Sequence, residues 1–159
     1  PVETVKAMNR IAVRAEKDAF ALDSYDKLIP TTLRGDATLA ISHATCTTAR
    51  DLKAKAIITV SQSGITARRI SRFRPQELIV AATPSKKTYH QLALSWGINP
   101  VLSLFQNSSD ALINHAIICA KSKRYVNDGD IVVITAGVPI GVPGNTNLLR
   151  VATVDSNNL

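Results

Sequence analysis

At 159 residues and 17.1 kDa the chain has the length of one domain able to bury a full core, and 45% hydrophobic with 19% charged residues is a globular balance, which excludes a disordered or fibrous protein. No apolar run approaches the roughly 20 residues of a membrane span, and Pro1-Val2-Glu3-Thr4 lacks the basic and apolar regions of a signal peptide, so a cytoplasmic protein without a membrane partner is expected. A net charge of +7 raises nucleic acid as a partner, but Phe73 alone interleaves with the basic run Arg68-Arg69-Ile70-Ser71-Arg72-Phe73-Arg74, so no base-stacking surface and no nucleic-acid binding is expected.

Val2, Val5, Met8, Ile11, Ala12 and Ala15 recur at helical spacing and predict an amphipathic helix over residues 2–19, opening after Pro1. A polar, Pro-containing stretch over 23–32 follows, and then a second helix over 36–53, rich in Ala, Thr and Ser. From there the pattern alternates: strand 56–60 and helix 66–73, strand 78–82 and helix 86–95, strand 101–104 and helix 109–122. Residues 130–136 form another continuous apolar strand, and 147–154 read as a last one after a Gly/Pro-rich turn. Uninterrupted apolar strands separated by helices imply a mostly parallel sheet covered on both faces. The last connection, about ten residues without helical pattern, is too short for a usual crossover, so the final strand should run antiparallel. The expected fold is α/β: a three-layer α/β/α sandwich whose five-stranded, mostly parallel sheet has one antiparallel edge strand. The polar end, residues 155–159, is expected to fray.

The stretch Ile57-Ile58-Thr59-Val60-Ser61-Gln62-Ser63-Gly64-Ile65-Thr66 carries the clearest chemical signal, because a buried run stops in a small polar loop that opens a helix. Gly64 lets the backbone turn, the first amides of the helix face outward, and Ser61, Ser63 and Thr66 add hydroxyl donors for an anion. Taken alone the loop fits ordinary helix capping equally well. In a parallel sheet, however, ligands bind beyond the C-terminal strand ends at the switch of strand order. The loop after the fourth strand, through Gly137, Gly141, Gly144 and Asn145, should emerge beside this one.

Other constellations are weaker. His43 with Cys46, and His115 with Cys119, share helical faces but have no further pair of ligands nearby, so no metal site is expected. Asp128 and Asp130 flank Gly129 as a turn entering a strand would, and no Walker-type loop is present. Trp96, before Gly97, is expected to pack or to make a subunit contact. His90, Lys123, Arg124 and Tyr125 read as solvent-facing. A small enzyme using the Ser/Thr loop and a histidine would need a nucleophile and base in one pocket, and no Ser-His-acid arrangement can be read from the spacing.

Pro1-Val2-Glu3-Thr4-Val5 with Met8-Asn9-Arg10-Ile11-Ala12, the Ser-Gln-Ser-Gly-Ile-Thr loop with Ile70-Ser71-Arg72-Phe73-Arg74-Pro75, and Leu92-Ala93-Leu94-Ser95-Trp96-Gly97-Ile98 resemble, in order and spacing, the C-terminal domain of pyruvate kinase. The closing segment over 130–150, with Ala136-Gly137-Val138-Pro139-Ile140-Gly141-Val142-Pro143-Gly144-Asn145-Thr146-Asn147, is the most specific part of the likeness. The resemblance implies a bacterial-type enzyme moving a phosphoryl group from phosphoenolpyruvate to ADP in glycolysis, with Mg²⁺ and K⁺. The family's metal ligands and catalytic lysine lie N-terminal to everything here, so this segment alone should be inactive and hold no cofactor of its own. It further implies that residues 1–19 continue from a catalytic barrel and that 20–154 form a regulatory and oligomerisation domain. The whole enzyme would then be a tetramer, and this chain alone a homodimer or higher oligomer. A free-standing phospho-metabolite-binding domain of the same type is the alternative, against which the opening on Pro1 reads as a fragment, a trimmed chain or a processed protein.

By the same resemblance, a phosphorylated effector would sit between Ser61, Gln62, Ser63, Gly64, Ile65 and Thr66 on one side and Gly141, Gly144 and Asn145 on the other. Many effector-responsive members carry Lys or Arg in the first loop, where this chain has Gln62 and Ile65, with Arg68 and Arg69 one turn on as the cations placed to compensate. The segment after Leu104 lacks the Trp and Arg that hold a second phosphate in some animal and yeast members. A sugar monophosphate or nucleotide monophosphate, such as ribose 5-phosphate or AMP, is therefore the expected effector rather than fructose 1,6-bisphosphate.

Overall fold

The computed structural model describes residues 1–21, 36–105, 108–139 and 145–155, and divides the chain into two units, 1–32 and 33–159. The first unit contributes one helix, α1 (Val2–Ala21), held along its surface by the ion pairs Lys6–Glu3 and Arg14–Asp18. Its stripe Val2, Val5, Met8 and Ile11 is exposed. No helix among the described residues is long and apolar enough to cross a membrane.

In the second unit the order is α2 (Ala37–Asp51), β1 (Ala56–Val60), α3 (Ile65–Arg72), β2 (Leu78–Thr83), α4 (Lys86–Leu92), β3 (Ile98–Leu102), α5 (Ser109–Ser122), β4 (Ile131–Ala136) and β5 (Leu148–Thr153). The strands form one sheet in the order β3-β2-β1-β4-β5, parallel except for β5, which runs antiparallel to β4. The expected sandwich with its reversed edge strand is what the chain builds.

The helix starts have visible causes. Asp36 caps α2 by accepting from the Leu39 amide at 3.1 Å, Ser85 caps α4 through Thr88 N, and Ser108 caps α5 through Ala111 N. Two apolar layers fill the sandwich. Ile58, Val60, Val80, Ile134 and Ala136 meet Ile113, Ala116, Ile117 and Ala120 of α5 on one face. On the other, Ile57, Ile79, Ala81 and Val133 meet Cys46 and Ala49 of α2, Ala67 and Ile70 of α3, and Leu92 of α4. Strand residues one apart therefore enter opposite layers, and all five residues of β1 are buried.

Two boundaries differ by three residues from those read in the sequence. Helix α4 stops at Leu92 rather than Ser95, where the amides of Leu94 and Ser95 turn back to Gln91 and Leu92 and Gly97 takes φ +67°. Strand β3 then begins at Ile98 instead of Val101 and includes Pro100, which an edge strand tolerates because one side of its ladder is unpaired. The tail beyond Asp155 lies outside the described residues.

Candidate functional site

The strand order changes direction at β1: the chain steps outward to β2 and β3, then returns to lay β4 on the other side. Val60 pairs with Ala136 at the C-terminal ends of the two strands, so the loops after β1 and β4 leave the sheet side by side. This is the juxtaposition expected of a ligand site in a doubly wound sheet.

The first loop is tightly built. Gly64 is the N-cap of α3 at φ +73° and ψ 7°, a left-handed conformation that L side chains avoid. It is also crowded, because a Cβ there would stand 2.9 Å from Leu92 Cδ2 and 3.0 Å from Thr88 Cγ2. The Gln62 carbonyl accepts from Thr88 Oγ1 at 2.9 Å, and Ser61 N donates to the Ala82 carbonyl at 3.1 Å, fastening the loop to β2 and α4. The Gln62 residue is otherwise exposed, while Ser61, Ser63 and Ile65 are half-buried.

The hydroxyls divide into two groups. Ser61 Oγ accepts from Gly64 N at 3.0 Å and Ser63 Oγ from Ile65 N at 3.5 Å, so both cover helix amides while keeping a hydroxyl proton to donate. Thr66 is different: it is buried, and its Oγ1 lies 2.6 Å from Oγ1 of Thr146, eighty residues away. The sequence pattern places Thr66 among the outward donors, and the structure turns it inward because it shares the core face of α3 with Ala67 and Ile70.

Thr146 was not singled out in the sequence, yet it joins three elements. Its Oγ1 meets Thr66 on α3, and its amide donates to Thr38 Oγ1 on α2 at 3.4 Å, just before β5 begins. Its position between two asparagines is the one signal that could have marked it. Asn145, exposed, donates from Nδ2 to the Val138 carbonyl at 3.2 Å, and Asn147 holds both the N–H and the carbonyl of Val138. Gly137 lies so close to the Asn145 carbonyl that any side chain there would overlap it. Gly141 and Gly144 lie outside the described residues.

The two nearby arginines also part company. Arg68 Nη2 donates to the Ser63 carbonyl at 2.9 Å and stays at the loop. Arg69 Nη1 pairs with Asp36 Oδ1 at 3.0 Å instead, tying α3 to the start of α2. The Leu39 amide, with the Arg69 charge adding to it, holds the Asp36 carboxyl below its ordinary pKa.

Elsewhere the polar groups read as structural. Asp128 pairs with Lys121 at 2.6 Å, and Asp130 accepts from Asn127 N at 2.7 Å across a turn in which Gly129 has φ +89°. His115 Nδ1 lies 3.5 Å from Cys119 Sγ, and burial raises the thiol pKa, which disfavours a thiolate. Among the described residues no three His, Cys, Asp or Glu side chains come together as a metal site would require.

The pyruvate kinase alpha/beta domain family matches over residues 39–152. A pyruvate kinase of Clostridium acetobutylicum is 42% identical over 158 residues, covering 98% of this chain and 33% of that protein. A pyruvate kinase of Staphylococcus epidermidis is 41% identical, and one of Staphylococcus aureus 40%, each over 157 residues, 97% of this chain and 26% of theirs. The chain thus spans a quarter to a third of the length of these relatives, in their C-terminal region. On the fold and this similarity, the chain belongs to the pyruvate kinase alpha/beta domain family.

Proposed function

We propose that the chain is the regulatory and assembly domain of a cytoplasmic pyruvate kinase, which converts phosphoenolpyruvate and ADP to pyruvate and ATP in glycolysis, and that it binds a phosphorylated effector at the loop over residues 61–66. The observation that carries the reading is the Thr66–Thr146 bond, which brings the loop after β1 and the segment entering β5 to one point at the switch of strand order. A phosphate there would take donors from the Ser61 and Ser63 hydroxyls and from the Gly64 and Ile65 amides, in the positive field at the start of α3. Arg68 is the cation at hand, since Arg69 is held by Asp36. One guanidinium and a loop without Lys suit a sugar or nucleotide monophosphate better than a bisphosphate.

Mg²⁺ and K⁺ would belong to the catalytic barrel. The described residues offer them no site, since no three His, Cys, Asp or Glu side chains come together there and Asp36 is paired with Arg69. The exposed stripe of α1 is the surface that would meet the barrel of the same enzyme or, in this chain alone, a second copy, giving a dimer or higher oligomer. Effector binding would bias assembly with a coupling free energy of about 1–3 kcal/mol, acting reciprocally on substrate affinity.

Calorimetric titration with ribose 5-phosphate, AMP and fructose 1,6-bisphosphate tests the reading. Binding of a monophosphate that disappears in Ser63→Asp supports it, and absence of heat with all three ligands contradicts it.

A further inference from the structure

The second half of α3 and the turn after it carry a further concentration of charge, of which the loop over 61–66 draws on Arg68 alone. Arg68, Arg72 and Arg74 line one open cleft of about 530 Å³ together with Ser71, Ser95 and Trp96. Arg68 and Arg72 stand one turn apart on α3, and Arg74 follows the helix cap at Phe73. Arg74 has φ +50°, a left-handed conformation uncommon for so long a side chain, and its guanidinium lies 4.4 Å from the centroid of the Trp96 ring. Ser71 Oγ donates to the Trp96 carbonyl at 2.6 Å, which locks the two walls together.

No carboxylate among the described residues lines this space, and the ion pair that Arg69 of α3 makes with Asp36 does not involve the cleft arginines. Three guanidiniums around one cleft repel each other unless an anion lies between them. Each offers a planar fork of N–H donors suited to carboxylate or phosphate oxygens, and one such donor, Arg68 Nη2, already reaches the Ser63 carbonyl. A compact oxyanion carrying more than one charge meets both the charge and the donor geometry, and the Trp96 ring closes one side without adding a competing anion.

We propose that the cleft of Arg68, Arg72, Arg74 and Trp96 is a second anion subsite, next to the loop over 61–66 and sharing only Arg68 with it, which takes a compact multivalent oxyanion of the pyrophosphate or polycarboxylate type. Arg68 couples it to the loop through the Ser63 carbonyl, so occupancy of the cleft alters how firmly the loop is held. The proposal does not rest on the loop binding an effector.

Trp96 is the single tryptophan of the chain, so its fluorescence reports on this cleft directly. Titration with sodium pyrophosphate and with citrate, at ionic strength held constant with sodium chloride, is expected to give a saturable change in emission. The stronger of the two anions distinguishes a phosphate from a carboxylate ligand. Arg72→Gln, an exposed position clear of the loop, should weaken the response about tenfold or more, and Arg74→Gln likewise, whereas Gln62→Asp, which places a like charge in the loop, should leave it in place. A response that Gln62→Asp removes and Arg72→Gln spares would assign the anion to the loop and overturn the proposal. A response that sodium chloride reproduces, or none with either anion, would overturn it as well. The calorimetry with monophosphates reads the loop independently, so either site can fail without the other.

Discussion

Replacing Gly64 by alanine tests two separable demands at one position. The left-handed backbone, φ +73°, costs an L residue about 1 kcal/mol, and a Cβ at 2.9–3.1 Å from the Leu92 methyls and the Thr88 Cγ2 forces repacking worth about 1–3 kcal/mol more. Leu92 is fully buried and Thr88 nearly so, so neither can simply swing away. For a chain of this size each kcal/mol lowers the melting temperature by about 2–4 °C, so Gly64→Ala should melt about 5–15 °C below the parent. Gly129→Ala provides the control, since its φ is +89° but nothing lies within 4 Å of the added Cβ. That variant should lose about 2–4 °C, the backbone contribution alone. Thermal unfolding followed by circular dichroism compares the two under one buffer. If Gly64→Ala melts with Gly129→Ala, or unchanged from the parent, then packing of the loop on α4 is not what requires glycine there.

Thr146→Val should destabilise by about 1–3 kcal/mol, because it leaves the buried Thr66 hydroxyl without its partner, and the Thr66→Val/Thr146→Val double variant should recover part of that loss in a denaturant double-mutant cycle; additive losses would refute a direct bond. Thr59 and Thr135 lie opposite each other in register on β1 and β4, and neither buried Oγ1 has a hydrogen-bond partner among the described residues. Thr59→Val should therefore be neutral or stabilising by up to about 1 kcal/mol in urea unfolding, and a loss above that size would mean the hydroxyl is satisfied in the folded chain. Asp36→Asn keeps an acceptor for the Leu39 amide but removes the charge that faces Arg69. Because the folded pKa of Asp36 lies below its ordinary value of 3.8, the parent's advantage in melting temperature should be full above that pH and vanish as pH falls through the lowered pKa; an advantage independent of pH would contradict the assignment.

Much of this fold is written locally. The runs Ala56–Val60 and Ile131–Ala136 have no polar interruption beyond Thr, so their burial on both faces and their central place in a parallel sheet follow from composition alone. The short, non-helical link before Leu148–Thr153 likewise forces an antiparallel return. The loop at 61–64 was legible because small polar residues and one glycine between a strand and a helix leave few other uses. What depended on distant partners was not legible. Whether Thr66 faces an anion or the core turns on helix phase and on Thr146, and whether Arg69 serves the loop turns on Asp36, 33 residues earlier. The early start of β3 was hidden by Pro100, whose missing N–H matters only if both sides of the strand are paired.

The most direct test of the central claim is an amide-resolved NMR titration of the chain with ribose 5-phosphate. If the loop is the effector site, the Ser63, Gly64 and Ile65 amides should shift first and farthest, as the N–H groups now covered by the Ser61 and Ser63 hydroxyls turn to the phosphate, and Thr146 should follow through its bond to Thr66. Saturating shifts confined to other parts of the sheet edge, or none in this loop up to millimolar ligand, would contradict it.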